Sequence, residues 1–234
     1  PNAPDASQFF KIARIQREMA PQLMPFLNLL PWFDWIGDRL GSPAYGPYLD
    51  RAVAEGNLCL LGNDCYTQMW EGDIGYDAYF NNLRQMRDAS NRHGIPFCST
   101  LLSTGHYDYA CPDQDDFRWQ ISTAAALGAK ALSFFFVAGI EPPDNYRHFP
   151  INTFGQRTEA FYWLAEENKV FLSRFSELLM QLTCEKSAFT LKAYGGLGLL
   201  EPDDTLNLAH NSKGINMLIS TFTGPDQTRY RVVV

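Results

Sequence analysis

Polar and aromatic side chains gather where the apolar runs of this chain stop. Asn28 and Trp32 close the run that begins at Leu23, and Asp64 and Tyr66, with Trp70 beyond, follow the run at Leu58. His106 and Tyr107 follow the run at Pro96, and Glu141 follows the run at Ala131. The set offers carboxylates, an imidazole, an amide and several aromatic faces. It has no ligand spacing of a metal site, so no metal or other cofactor is expected. These residue types suit a neutral, hydroxyl-rich ligand such as a sugar, whose C–H faces stack on Trp or Tyr while its hydroxyls bond to Asn, Asp and His. Cleaving a glycosidic bond would also need two carboxyl groups facing each other across it, and composition does not name the pair.

Each of these residues has a structural alternative. Asp64 after a strand can form a turn or cap a helix, and His106 can satisfy a loop backbone. Trp32 and Trp70 can pack beneath the loops, and Glu141, in a Pro-rich loop, can be a solvated charge. Asn28 inside an apolar run stands out because a buried amide has to find partners.

The elements that must position these groups read as βα units. Pro96–Leu102 is a strand-like run ending in Ser103-Thr104-Gly105-His106. A helix follows from Pro112-Asp113, with Asp113 placed to cap it and Asp116 in its first turn, and it stops at Gly128. The next run, Ala131–Val137, lacks period-2 alternation, so both of its faces are expected to be buried, as in a parallel sheet. Apolar runs begin near Leu23, Leu58, Pro96 and Ala131, roughly 35 residues apart, which suits a βα array. Helices are expected at Ser7–Met19, with Phe9, Ile12, Ala13 and Ile15 on one side, and at Tyr76–Arg92, stopped by Gly94. A longer one is expected over Thr158–Leu182, with the stripe Phe161, Leu164, Asn168, Phe171, Phe175, Leu178 and Leu182. Asn168 is expected to tie this helix to a loop backbone.

Near Glu185 the helical period gives way to short β-like pieces, with a hairpin from Met217 to Val234. A boundary is placed near Ser187, giving residues 1–186 as an α/β unit and 187–234 as the beginning of a β-rich domain. Eight βα units close a (β/α)8 barrel, so four correspond to its C-terminal half, strands five to eight. The rival is a doubly wound open sheet. No strand here leads into a Gly-rich phosphate turn, and Gly195-Gly196-Leu197-Gly198, preceding no predicted helix, reads as a flexible connection.

Composition narrows the partners. The chain has 234 residues, 14% aromatic, and a formal net charge of −7 without local basic patches, so a nucleic acid is not expected as a partner. The five cysteines lack CxxC spacing and read as free core thiols. No apolar run approaches the ~18 residues of a membrane span, so no membrane partner is expected. The absence of an initial Met and the end inside a strand-like run suggest a fragment of a longer protein.

Together the segments resemble (β/α)8 glycoside hydrolases of the β-galactosidase-like type, in the clan that includes glycoside hydrolase family 42. The likeness is carried by Phe117-Arg118-Trp119-Gln120 through Ala124–Ala131 and Phe134-Phe135-Phe136, as a seventh helix and eighth strand. Asn28-Leu29-Leu30-Pro31, Asn63-Asp64-Cys65-Tyr66, Leu102-Ser103 to His106, and Gly155-Gln156-Arg157-Thr158 with Tyr162 and Asn168 support it. It covers about residues 1–182. The resemblance implies a retaining hydrolase of oligo- or polysaccharides, periplasmic or secreted. Its general-acid Glu would end strand four, upstream of Pro1, and its nucleophilic Glu would end strand seven. The strand-seven segment Ser99–His106 contains no carboxylate. Either another residue serves, Asp64 first and Glu141 second, or catalysis is lost and the barrel only binds glycans. Asn28, Tyr66, His106, Trp32, Trp70 and Glu141 would then line the sugar subsites. A barrel lyase or aldolase would need a strand-end Schiff-base lysine, and Lys130 precedes its strand instead.

Overall fold

The computed structural model describes residues 6–72, 74–139 and 145–234. It is a mixed α/β structure built around two sheets. The order is α1 (Ala6–Met19), α2 (Gly37–Leu40), α3 (Tyr45–Gly56), β1 (Leu61–Asp64), α4 (Tyr76–His93), β2 (Phe97–Leu102), α5 (Gln114–Ala126), β3 (Ala131–Phe135), α6 (Glu159–Phe171), α7 (Glu177–Gln181), β4 (Thr183–Phe189), β5 (Gly198–Leu199), β6 (Leu218–Thr223) and β7 (Arg229–Val233).

The first sheet is parallel, in the chain order β1-β2-β3. Pairing Gly62 with Cys98 and Ala131, and Asp64 with Thr100 and Ser133, puts those residues on one face by the two-residue period of a strand. The other, outer face carries Leu61, Phe97, Leu101 and Phe134, which pack with residues of α1, α3, α4 and α5 in one core. α6 joins the same side through Phe117, Phe134 and Leu164. The helices follow one another along the outer face in chain order, α1 on α3, α3 on α4, and α5 on α6. Trp119 of α5 stacks on Tyr79 of α4, whose hydroxyl lies 3.0 Å from that of Thr123.

The run Leu23–Leu30, expected as a full strand, touches β1 only through the parallel bridge of Leu29 with Asn63, with Leu29 N donating to Gly62 O at 2.8 Å. Pro25 removes a donor from this run, and Pro21 and Pro31 flank it, which disfavours a regular ladder. Among the described residues no barrel closes. β3 is an edge, and all five of its residues are half-buried, against the expectation that both faces would be covered.

Helix starts are closer to expectation than helix faces. Asp113 and Asp116 form a reciprocal capping box at α5: Asp116 N donates to Asp113 Oδ1 at 2.9 Å and Asp113 N to Asp116 Oδ2 at 3.0 Å. In α1, Phe10 and Ala13 are buried, whereas Phe9, Ile12 and Ile15 of the predicted stripe are exposed. The long helix breaks after Phe171 into a wide π-type turn, Leu172–Ser176, before α7, and Phe175 and Leu178 of its stripe face outward. Asn168 bonds to the Leu164 carbonyl of its own helix rather than to a loop.

The second sheet has the order β5-β4-β6-β7, and β6 and β7 form the antiparallel hairpin expected from the sequence. It lies against the helices: Phe189 meets Phe80 edge-on at 5.0 Å, and Asn91 donates to the Cys184 carbonyl. Gly195 is clamped on α4, contrary to a flexible connection. Its N–H donates to Asp77 Oδ1 at 2.9 Å, and its carbonyl accepts from Arg84 Nε at 2.8 Å. At φ +61, a Cβ here would fall 2.2 Å from the Asn81 nitrogen, so only glycine fits. All five cysteines are unpaired thiols.

Candidate functional site

The inner face of the parallel sheet is small at Gly62, Cys98, Thr100, Ala131 and Ser133 and becomes bulky only at its C-terminal end, where Leu102 pairs with Phe135. Thr100 Oγ1 and Ser133 Oγ bond across it at 2.7 Å. Gly62 leaves room for the Phe26 ring, which a Cβ would meet at 2.5 Å. Asp64 ends β1 on this face, at the sheet end from which the β1, β2 and β3 loops depart.

Those loops build an aromatic cluster. The Tyr66 ring stacks on Phe135 at 5.7 Å and meets Tyr109 edge-on at 5.8 Å. His106 lies 6.0 Å from Tyr66 and stacks flat on Tyr146, 5.0 Å away with 7° between the planes. Trp70 stacks on Tyr109 at 6.0 Å. The Tyr146 loop is fastened by paired backbone bonds between Gly105 and Arg147, and by Arg147 donating to the Tyr109 carbonyl at 2.9 Å. Beneath the cluster, Gln120 of α5 grips the end of β2: its Oε1 accepts from Leu102 N at 2.9 Å and its Nε2 donates to Leu102 O.

Electrostatics give the two titratable groups opposite characters. Burial raises the Asp64 carboxyl above the ordinary carboxylate range, against the lowering effect of Tyr66, of a hydrogen bond with Asn28 and of the His106 charge. His106 is pushed down by burial and by Arg147, which outweigh the Thr104 carbonyl and Asp64. A carbonyl can only accept, so His106 Nδ1 donates to Thr104 O at 3.2 Å and Nε2 is left as a neutral acceptor.

Among the described residues, three buried side-chain polar atoms lack a hydrogen-bond partner: Tyr66 Oη, Gln68 Oε1 and Ser103 Oγ. All three lie just past β1 or β2, at the Asp64 end of the sheet. The Tyr66 hydroxyl lies close enough to the Asp64 carboxyl for each to shift the other's ionisation, so Asp64 is its polar neighbour, and Gln68 Oε1 and Ser103 Oγ are the two left without one. Unsatisfied buried groups are few in folded proteins, and here they lie at one end of the sheet.

The structure thus brings together Asn28, Asp64, Tyr66, His106 and Trp70. Trp32 goes elsewhere: its backbone bonds to Asn82 of α4, and its ring leans on Tyr45 at 6.0 Å on the helix side. Glu141 lies outside the described residues. Sequence reasoning missed Tyr109, Phe135 and Tyr146. Tyr109 was the most accessible to it, three residues past His106 in the same loop. Among the described residues no three His, Cys, Asp or Glu side chains converge as a metal site, and no helix is long and apolar enough to cross a membrane. A scan against models of protein families finds none that matches this chain, and no curated protein matches it either.

Proposed function

We propose that this chain is the C-terminal half of a (β/α)8 glycoside hydrolase and that the Asp64 cluster is the saccharide-facing wall of its cleft. Support for the half-barrel comes from the single layer of helices running in strand order along one face, which a doubly wound sheet would divide between two. Both edges are also apolar and open. Phe9, Ile12, Ile15, Leu23 and Met24 are exposed at one, and Leu172, Phe175, Leu178 and Met180 at the other, where further βα units would pack. Residues 187–234 are then the start of an accessory β-domain.

The observation that carries the saccharide reading is the coincidence, at the strand C-terminal ends, of unpartnered buried polar atoms with aromatic rings and one buried carboxyl. Rings stack on sugar C–H faces, and a carboxyl beside them can bond a hydroxyl or react at the glycosidic carbon. With the general acid expected upstream, Asp64 is the candidate for the second carboxyl. The His106 Nε2 acceptor takes a sugar hydroxyl.

In full-length protein acting on 4-nitrophenyl glycosides, Asp64→Asn is expected to lower kcat by about 10²-fold or more, as loss of a reacting carboxyl other than the leaving-group acid would. Rates like the wild type would remove Asp64 from the mechanism. One observation favours a second reading, a glycan-binding barrel without turnover: the cluster holds a single carboxyl, whereas hydrolysis needs two. Saturable saccharide binding, followed by calorimetry without product release, would select it.

A further inference from the structure

A second cleft opens beside Trp32. It encloses about 600 Å3 and is lined by Trp32, Asp34, Trp35, Asp38 and Ser42, in the segment leading from the first apolar run into α2 and α3. Trp35 is 66% exposed, yet its position is fixed: the Phe33 ring stacks parallel to it at 5.6 Å, within 2° of coplanar, and Arg39 Cζ lies 5.7 Å over its ring. Leaving so large an apolar ring in water while ordering it gives up burial free energy without a folding gain. Among the described residues, Asp34 and Asp38 have no hydrogen bond or ion pair through their side chains, so both carboxylates remain available as acceptors.

We infer that this cleft is a second saccharide subsite, distinct from the Asp64 cluster, in which the indole rings of Trp35 and Trp32 take sugar faces and Asp34 and Asp38 accept hydroxyl protons. The inference rests on the saccharide reading of the Asp64 cluster and extends it in one direction. Asn28, which bonds to Asp64, is four residues before Trp32, and four residues of chain span at most about 14 Å. One short oligosaccharide can therefore engage both places. A ring and a carboxylate at each end also explain why Trp32, read from the sequence as a sugar-binding residue, lies away from the cluster. The second subsite adds affinity for chains over single sugars by linking two weak contacts through one ligand.

The test follows the indole N–H signals of the full chain by NMR, assigned through Trp→Phe variants. The probes are tetrasaccharides of β-1,4-linked galactose, glucose, mannose or xylose, and the matching monosaccharides. A tetrasaccharide is expected to shift Trp35 and Trp32 together with Trp70 over one concentration range, whereas a monosaccharide needs a higher concentration and shifts Trp70 before Trp35. Trp35→Ala, an exposed position whose thermal unfolding serves as the folding control, should weaken tetrasaccharide binding about tenfold and leave monosaccharide binding unchanged. Shifts at Trp70 alone, or tetrasaccharide affinity unaffected by Trp35→Ala, overturn the second subsite and leave the Asp64 reading standing. No shift at any indole overturns both. Shifts at Trp35 produced by calcium, with none from sugars, would make Asp34 and Asp38 a cation site and overturn the saccharide assignment.

Discussion

The two faces of one three-stranded sheet have been given different work. Phe97 and Cys98 are neighbours on β2, yet Phe97 points into the helical layer and is wholly buried among large rings and aliphatic groups. Cys98 points to the inner face, where its thiol has only a long contact to Ser133 Oγ at 3.9 Å. The same division separates Leu61 from Gly62 and Asn63 from Asp64: Asn63 donates to the Tyr45 hydroxyl on the helix side, while Asp64 looks away from it. Stability resides on the outer face, where volume is filled. The inner face spends its residues on small groups and polar ends, which leave room and acceptors instead of contacts.

Breaking that contrast is a matter of paired substitutions. Phe97→Ala empties a packed core position and should cost about 3–5 kcal/mol in urea unfolding, whereas Cys98→Ala, one residue away, should cost less than about 1 kcal/mol. Equal costs would show that the inner face is packed core, and the division would fail. The next largest effect sharpens the boundary between the faces. Gln120→Leu leaves the buried N–H and carbonyl of Leu102 without their side-chain partner, at about 2–3 kcal/mol. Because Leu102 leads directly into Ser103–His106, that substitution should also speed hydrogen exchange of the loop amides, which Phe97→Ala at the far end of the strand should do less.

How much of this was legible in the sequence depended on how local the deciding interaction is. The capping box of Asp113 and Asp116 spans three residues of one turn, and its chemistry reads directly from the residue types. The β2 strand and its loop were equally plain, because an apolar run that stops at polar residues has one meaning in a βα unit. The first run was misread for an equally local reason: its prolines, visible in the sequence, outweighed the leucines. β3 is different. Lack of alternation in Ala131–Val137 reports apolar character on both faces but not what covers them, and coverage is a property of the whole assembly. The two tryptophans make the same point. Trp32 and Trp70 both follow apolar runs, and only the three-dimensional path of the chain sends one to Tyr45 and the other to Tyr109. Tyr146 joined the cluster through a backbone bridge between Gly105 and Arg147, 42 residues apart, which no spacing rule anticipates.

The smallest effect is also the most direct test of what the inner face is for. Burial raises the Asp64 carboxyl in the folded chain above its value of about 3.8 in the unfolded one. In the interval between the two, the folded state holds the proton more tightly, so unfolding releases it and stability falls as pH rises. The contribution is therefore complete below the unfolded pKa and is lost as pH climbs through the folded one, the reverse of a carboxylate stabilised by a salt bridge. Asn mimics the protonated acid at every pH. Asp64→Asn should match the wild type in urea midpoint near pH 4 and become the more stable of the two toward pH 7, with a gap that widens as pH rises. A variant that is less stable than the wild type at neutral pH would mean that ionised Asp64 is stabilised by its neighbours, and that the inner face binds its own carboxylate where a cleft awaiting a ligand would leave it strained.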